Sequence, residues 1–454
     1  MTLASVLRHA APGRLVALGR TRSGVLALST IGSMVVRMGS SVILTRLLSP
    51  EAFGLVGIIG SIFFTLGMLT DLGFQSYVVR HERGDERHFR DVIWTIHAWR
   101  GLALALLAAA ASPLIADFMQ KPELAWPIAV VGSTFFLNGV ASLSQMTALR
   151  SDSARLLSVL DLLFQIFQTL SCLLLAVWLR SVWAIIISMV LQSAVRSVAS
   201  YFIFPDAGHR LARDRDVSRD FFAFSRIVLV SSALSLLLFQ SDKLVLGRLL
   251  TLQEFGLYAI ALNLSSAPAS FADSYISRVS FPLYASTWRT DPGRLSEVYY
   301  SVGRMPSLLY ALVCGGLAGG APLGIAILYD DRYAGAGPFL SLLAIGSALR
   351  FPNFAAAEVQ TAIGRVKGTM HANIVRIAWL AVAGTAGFRL YGPIGLVGAV
   401  GLMELPALAY NWTALQRLGI LNLRKELVFV ACALAGAAIA FAASRTILAL
   451  MPSL

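Results

Sequence analysis

Charge is scarce in this chain. Only 13% of its 454 residues are Asp, Glu, Lys or Arg, about half the share in a water-soluble domain of this size. A hydrated surface cannot be built from that composition. The 57% of hydrophobic residues call instead for a bilayer as solvent. Acid is scarcer than base, 24 residues against 37, for a net charge of +13. Such an excess on one amphipathic surface would suggest nucleic acid. Here the basic residues lie between apolar runs, which argues against that partner. Cysteine is nearly absent. Cys172, Cys314 and Cys432 sit far apart in apolar runs, so no CxxC or Cys/His metal spacing exists, and they read as small buried side chains. Catalytic motifs are missing too. No GxxxxGK[ST], HExxH or GxSxG occurs, and GRVKGT at 364–369 has the wrong spacing for a phosphate loop. No cofactor or metal site is expected, and the chain reads as a transporter rather than an enzyme.

What is abundant is the long apolar run. Thirteen stretches, the first at 24–46 and the last at 427–444, approach the ~20 residues that cross a bilayer as a helix. With the N-terminus taken as cytoplasmic, the inside loops hold twenty-three Lys and Arg and the outside loops seven. This is the bias that sets membrane topology. The outside loops are short, so no external domain is expected to carry chemistry. The expected organisation is a cytoplasmic basic lead-in without a cleavable signal (1–23), an N-terminal six-helix bundle (24–205) and a charged cytoplasmic linker (206–220). A C-terminal six-helix bundle (221–415) and an additional helix (416–454) complete it.

An internal repeat supports the two bundles. Residues 46–57 read RLLSPEAFGLVG and residues 248–259 read RLLTLQEFGLYA, an offset of 202 residues. At that offset Arg46, Leu47, Leu48, Phe53, Gly54, Leu55, Ile58 and Asp71 have identical counterparts, the last being Asp273. Six spans separate the copies, so they share one orientation. That is a parallel repeat about an axis along the membrane normal, a layout found in transporters.

The first hairpin carries a family resemblance. Arg37, SSVILTRLLSPEAFGLVGI, the Leu-Thr-Asp71-Leu-Gly turn, VVRHERGDERHFRD and WTIHAWRG together resemble the Wzx-type oligosaccharide flippases of the multidrug/oligosaccharidyl-lipid/polysaccharide exporter superfamily. The resemblance implies two six-helix bundles around a central cavity. It further implies movement of a polyprenyl-pyrophosphate-linked oligosaccharide from the cytoplasmic to the periplasmic leaflet of the bacterial inner membrane. Surface polysaccharide synthesis follows, whether O-antigen, capsule or exopolysaccharide. The implied partners are undecaprenyl-pyrophosphate oligosaccharide, the lipid bilayer, and a polysaccharide polymerase or export machinery. A thirteenth span departs from the plainest twelve-span pattern.

Charges inside the spans are the candidate site. An ionised group there costs at least about 2.5–3.5 kcal/mol, so it faces water or a partner. Arg37 and Arg350 lie near span centres, with Arg376, Arg196 and Arg100 somewhat off centre, and only Glu404 is an acid of similar depth. The expected interior is therefore cationic. A guanidinium binds a diphosphate bidentately, so these five arginines are the expected substrate ligands. Against this stands pairing of each with an acid on a neighbouring helix. Asp71, Asp273 and Glu404 are candidates for coupling or gating, with salt bridging or helix capping as the plainer role for the first two. Asp242 and Lys243 are expected to snorkel outward, and His97 and His371 to pack. Pro352 beside Arg350 is a candidate bend, and GGLAGG at 315–320 a close helix contact. Competing readings are a multidrug exporter, which calls for an acidic cavity, and a membrane polysaccharide polymerase or ligase, which calls for larger external loops. A lipid II flippase is a close chemical cousin.

Overall fold

A computed structural model describes residues 22–150, 154–204, 207–365 and 367–450. Most of the basic lead-in, with Arg8, Arg14 and Arg20, therefore lies outside the described residues. Helix follows helix, and no strand occurs among the described residues. Every expected apolar run falls on helix. The run 24–46 is the helix Arg22–Leu47, and 427–444 lies within Leu423–Leu450. Nine helices are long and apolar enough to cross a bilayer among the described residues. Arg22–Leu47, Ala125–Gly139, Arg215–Phe239 and Leu252–Tyr275 cover further expected runs.

The outer faces invert the rule for soluble proteins. Leu174 is 73% exposed, Trp178 89% and Val382 73%. Extended apolar faces of this kind mark contact with lipid or another protein, and on helices long enough to span they point to lipid. The chain is a multi-pass membrane protein.

Two compact units emerge. One comprises residues up to 48 with 59–236, the other 49–58 with 237–454. Residues 49–58 thus belong with the second unit. In it, Pro50 to Ile58 lie against the second copy of the repeat at backbone distance. A Cβ on Gly54 would sit 1.8 Å from the Leu252 carbonyl oxygen, and one on Gly256 1.9 Å from that of Pro50. Phe255 is buried there, and the Glu254–Thr251 capping box starts its helix.

The second unit is built around Ala336–Ala362. Its apolar window is 61% buried, against 44% or less for every other candidate span. Small residues (Ala344, Gly346, Ser347, Ala348) let neighbouring helices approach it. The additional helix Leu423–Leu450 packs on Leu295–Gly319 and makes the close helix contact expected at GGLAGG. Gly315 and Gly319 lie so near Ala433 and Ala437 that a Cβ on either would fall within about 2 Å of a carbonyl oxygen.

Several helices are interrupted. The run 52–79 breaks at Thr70–Gly73 between Pro50–Leu69 and Phe74–Arg80. At the repeat-related place in the second half the helix continues through a π-turn, Ile276–Ser280. Further breaks fall at Gln240 and at Leu402–Met403, and a second π-turn spans Leu380–Gly384. These breaks place the polar side chains.

Candidate functional site

Polar residues in the core of the second unit form one connected chain. Arg350, Asn353 and Gln360 lie three and seven residues apart on Ala336–Ala362, hence on one helical face. Arg350 donates twice to Asp273, Nε to Oδ1 at 3.0 Å and Nη2 to Oδ2 at 2.8 Å. Its Nη1 lies 3.8 Å from Glu404 Oε1. Glu404 Oε2 accepts from Arg376 Nη2 at 2.7 Å and from the Asn353 amide. Arg376 Nη1 donates to Asn373 at 2.6 Å. The amide line runs on through Asn411 to Gln360.

Each charged member stands beside an interruption. Asp273 comes three residues before the π-turn at Ile276, and Arg376 four before the one at Leu380. Arg350 precedes Pro352 by two, and Glu404 is the first residue after the Leu402–Met403 break. Asp242 lies in the first turn of the helix after Gln240. Interrupted helices leave backbone groups that only a wet or protein-lined cavity can satisfy within a membrane. A helix start also favours the negative charge of Glu404.

The cavities are there. One of about 390 Å³ is lined by Asp242, Arg350, Glu358, Arg376, Glu404 and Asn411 among others. A second, about 260 Å³, shares Asp242, Arg350 and Glu404 with it and adds Asp273 and Ser347. Their walls hold four carboxylates, Asp242, Asp273, Glu358 and Glu404, against two guanidiniums. The cationic interior expected from residue depth is reversed in this unit. An unpaired buried guanidinium costs several kcal/mol, and each arginine here has an acid beside it. The expectation that Asp242 snorkels outward is not met, because the break at Gln240 turns it to these cavities. Asp242 accepts from the buried Tyr258 hydroxyl at 3.1 Å and lines both cavities.

The remaining candidates lie in the first unit and do not join this chain. Arg100 caps the broken helix Pro50–Leu69. Its Nε donates to the Thr70 carbonyl at 2.7 Å, and its Nη2 to Thr70 Oγ1 at 3.0 Å. A cation at a helix C-terminus answers the unsatisfied carbonyls there. Asp71 accepts from Gly73 N at 2.9 Å and so closes the turn, in which Gly73 has φ of 70°. Arg196 pairs with Asp161 at 2.8 Å. Arg37 is exposed, and its side chain has no ion pair or hydrogen bond among the described residues. Pairing with acids thus holds for Arg350, Arg376 and Arg196, and not for Arg37 or Arg100.

Sequence reasoning missed the amides Asn353, Gln360 and Asn411. The three-and-seven spacing after Arg350 was the available signal. It also missed a cluster at the linker. His209, its side chain 1% exposed, faces Asp91 through Nδ1 at 3.2 Å and accepts from the Leu143 N–H on Nε2 at 3.1 Å. Ser142 Oγ lies 3.1 Å from Nε2 but donates to the Ala207 carbonyl at 2.9 Å. Serine, histidine and aspartate are in line, yet the hydroxyl proton points away from the imidazole. The cluster anchors the segment after residue 206 rather than building a nucleophile.

Interrupted helices, a lipid-facing exterior and a chain of half-buried ion pairs define a polytopic membrane protein of transporter architecture. The family model described as polysaccharide biosynthesis protein matches residues 43–338, well over half the chain, and the chain belongs to that family. It is 23% identical over 285 residues to the teichuronic acid biosynthesis protein TuaB of Bacillus subtilis, covering 62% of this chain and 58% of that protein. Identity to the succinoglycan biosynthesis transport protein ExoT of Rhizobium meliloti is 26% over 341 residues, covering 72% and 66%. The chain therefore spans less than two thirds of either relative's length. The lipopolysaccharide biosynthesis protein WzxC of Escherichia coli is 20% identical over 393 residues, covering 85% and 78%. Among solved structures, the lipid II flippase MurJ in an inward closed conformation is similar with a TM-score of 0.68 at 13% identity, covering 93% and 92%. An inward-facing multidrug resistance MATE transporter of the MOP superfamily has a TM-score of 0.63 at 13% identity, covering 85% and 94%. At such identity the likeness is one of fold. The resemblance carried by the first hairpin agrees with all of these.

Proposed function

We propose that this chain flips a polyprenyl-pyrophosphate-linked oligosaccharide from the cytoplasmic to the periplasmic leaflet of the inner membrane, as a secondary transporter with no chemical step of its own. The polysaccharide biosynthesis family, the relative named for succinoglycan biosynthesis transport and the one named for lipopolysaccharide biosynthesis support this reading. The observation that carries it is the chain Asp273–Arg350–Glu404–Arg376, set at helix interruptions beside two cavities.

Paired arginines are compatible with an anionic passenger if the pairing is exchangeable. Arg350 holds Asp273 with the two-pronged geometry that a diphosphate also accepts. A proton or cation on Asp273 or Glu404 frees the guanidinium, and the diphosphate takes the vacated place. Release reverses the exchange. On this reading Asp273 and Glu404 couple, Arg350 and Arg376 bind, and Arg37 is an exposed further ligand. Arg100, Arg196 and Asp71 hold local structure. The N-terminus is cytoplasmic, and a polymerase or export machinery takes the product.

One observation favours a second reading. Four carboxylates against two arginines suit a cationic solute, as a multidrug exporter carries. Depletion of the protein followed by extraction of lipid-linked intermediates separates the two. The flippase reading expects an undecaprenyl-pyrophosphate oligosaccharide to accumulate on the cytoplasmic leaflet. Normal lipid-linked pools with new sensitivity to cationic drugs would overturn it.

A further inference from the structure

The helix Leu423–Leu450 encloses a third cavity, away from the ion-pair chain. It measures about 310 Å³ and lies between the early turns of Leu295–Gly319 and Leu423–Leu450, with Phe351 and Pro352 also in its wall. Tyr284, Tyr299, Tyr300 and Phe429 supply aromatic surface, and Arg304 and Lys425 supply charge. Tyr299, 6% exposed, makes no side-chain hydrogen bond among the described residues.

The charges are unequal in what they have left to offer. The acids are engaged. Glu297 lies 3.4 Å from Arg294, and the buried Glu426 accepts from the Tyr300 hydroxyl at 3.0 Å. Tyr300 is in turn fixed by the Asn422 N–H at 2.8 Å. The bases are not engaged with acid. Lys425 Nζ rests 4.6 Å from the Tyr300 ring centre. Arg304 is exposed, and its guanidinium has no ion pair or hydrogen bond among the described residues. The cavity thus has spare capacity for an anion at its rim.

Depth identifies the kind of anion. The apolar runs of these two helices begin at 304 and 427, so Arg304 and Lys425 stand at one membrane boundary, where lipid phosphates lie. Beyond them the outer faces are apolar. Leu309 is 61% exposed, Leu312 43%, Leu427 64% and Leu434 64%. Further along, the Gly315–Ala433 and Gly319–Ala437 approaches close the gap between the helices. An occupant must therefore have an anionic head at the rim and a hydrocarbon chain that leaves along the outer faces.

We propose that this cavity binds the phosphate of a lipid, through Arg304 and Lys425, with its aromatic wall against the head group. The phosphate belongs to a bilayer phospholipid or to a polyprenyl diphosphate, and one experiment distinguishes them. The purified full-length protein is titrated with phosphatidylglycerol, undecaprenyl diphosphate and diacylglycerol, and bound lipid is counted by native mass spectrometry. Each charge-assisted hydrogen bond lost is expected to weaken binding roughly tenfold. The Arg304→Ala/Lys425→Ala variant should bind the phosphate lipids at least that much more weakly, with diacylglycerol unchanged. Arg304→Lys should keep most of the binding. Gly303→Leu keeps both charges, and a Cβ at Gly303 meets nothing nearer than Phe351 at 3.8 Å. Its larger side chain occupies the cavity and should lower binding as well. Loss for phosphatidylglycerol alone assigns a resident bilayer lipid, and loss for undecaprenyl diphosphate alone assigns the cargo lipid. Unchanged uptake of both in the double alanine variant, or in Gly303→Leu, overturns the proposal.

Discussion

The Gly54–Gly256 crossing permits a sharp test of how the repeat is used. A methyl group on Gly54 would stand 1.8 Å from the Leu252 carbonyl oxygen and 3.1 Å from Gly256 N. Ordinary contact begins at 3.4 Å, so relieving the 1.8 Å approach requires the backbones to part by about 1.6 Å at this point. Both neighbours are backbone, and neither swings aside as a side chain would. Overpacking of this kind costs about 1–3 kcal/mol. Gly256→Ala makes the same demand in reverse, because its methyl meets Pro50 O at 1.9 Å and Gly54 N at 3.0 Å. One separation accommodates both methyls. The double variant should therefore lose much less than the sum of the single losses, as expected for coupled neighbours. Apparent melting temperature in detergent reads the stability of all three variants, and accumulation of lipid-linked intermediates in cells reads transport. Single variants as stable as the parent would refute the reasoning. So would fully additive losses, which would mean that each methyl is absorbed separately.

Further outcomes follow from the ion pairs and the linker cluster. Arg350→Ala and Asp273→Asn should each destabilise by about 1–3 kcal/mol, below the cost of breaking a fully buried pair, because about a third of each side chain stays open. In a double-mutant cycle by thermal melting the double variant should regain part of the loss, and additivity would mean that the two do not interact. Arg37→Ala should abolish export in cells with the protein still inserted, and Arg37→Lys should restore it in part; full export by the alanine variant would remove Arg37 from the site. Burial pushes the His209 imidazole below its ordinary 6.5, so the unfolded chain binds the proton more readily. Its contribution to stability is complete above pH 6.5 and falls as pH drops below that value. Melting temperature against pH should show this slope, and His209→Gln should flatten it.

The fold was largely legible, and for a physical reason. Membrane solvent imposes runs of about 20 apolar residues and places basic residues in loops, and both constraints are written locally in the chain. The glycines at 315–320 pointed to a close helix contact, though not to Leu423–Leu450 as the partner. The interruptions were less legible. The run 52–79 reads as one span, yet Thr70 to Gly73 break it, with Arg100 supplying the carbonyl partners from another helix. That partner is distant in sequence, so no local pattern announces it. The site was legible in its residues and not in its charge. Arg350, Arg376, Asp273 and Glu404 were all singled out, but pairing is a property of which helix faces which. The amides Asn353 and Gln360 sat in plain view at helical spacing after Arg350.

The repeat shows most directly why position alone does not assign role. Asp71 and Asp273 are the same residue at the same register, 202 positions apart. In the first copy the helix stops, Gly73 takes a left-handed conformation, and Asp71 is consumed in closing the turn. In the second copy Ile276–Ser280 carries the helix onward as a π-turn, and Asp273 is left free to take both prongs of Arg350. The sequence difference behind this is small. Leu-Gly follows Asp71 where Ser-Tyr follows Asp273, and only glycine takes the positive φ of the first turn without strain. Two related helices thus divide the work. One aspartate shapes the backbone, and the other faces a cavity and holds a guanidinium there.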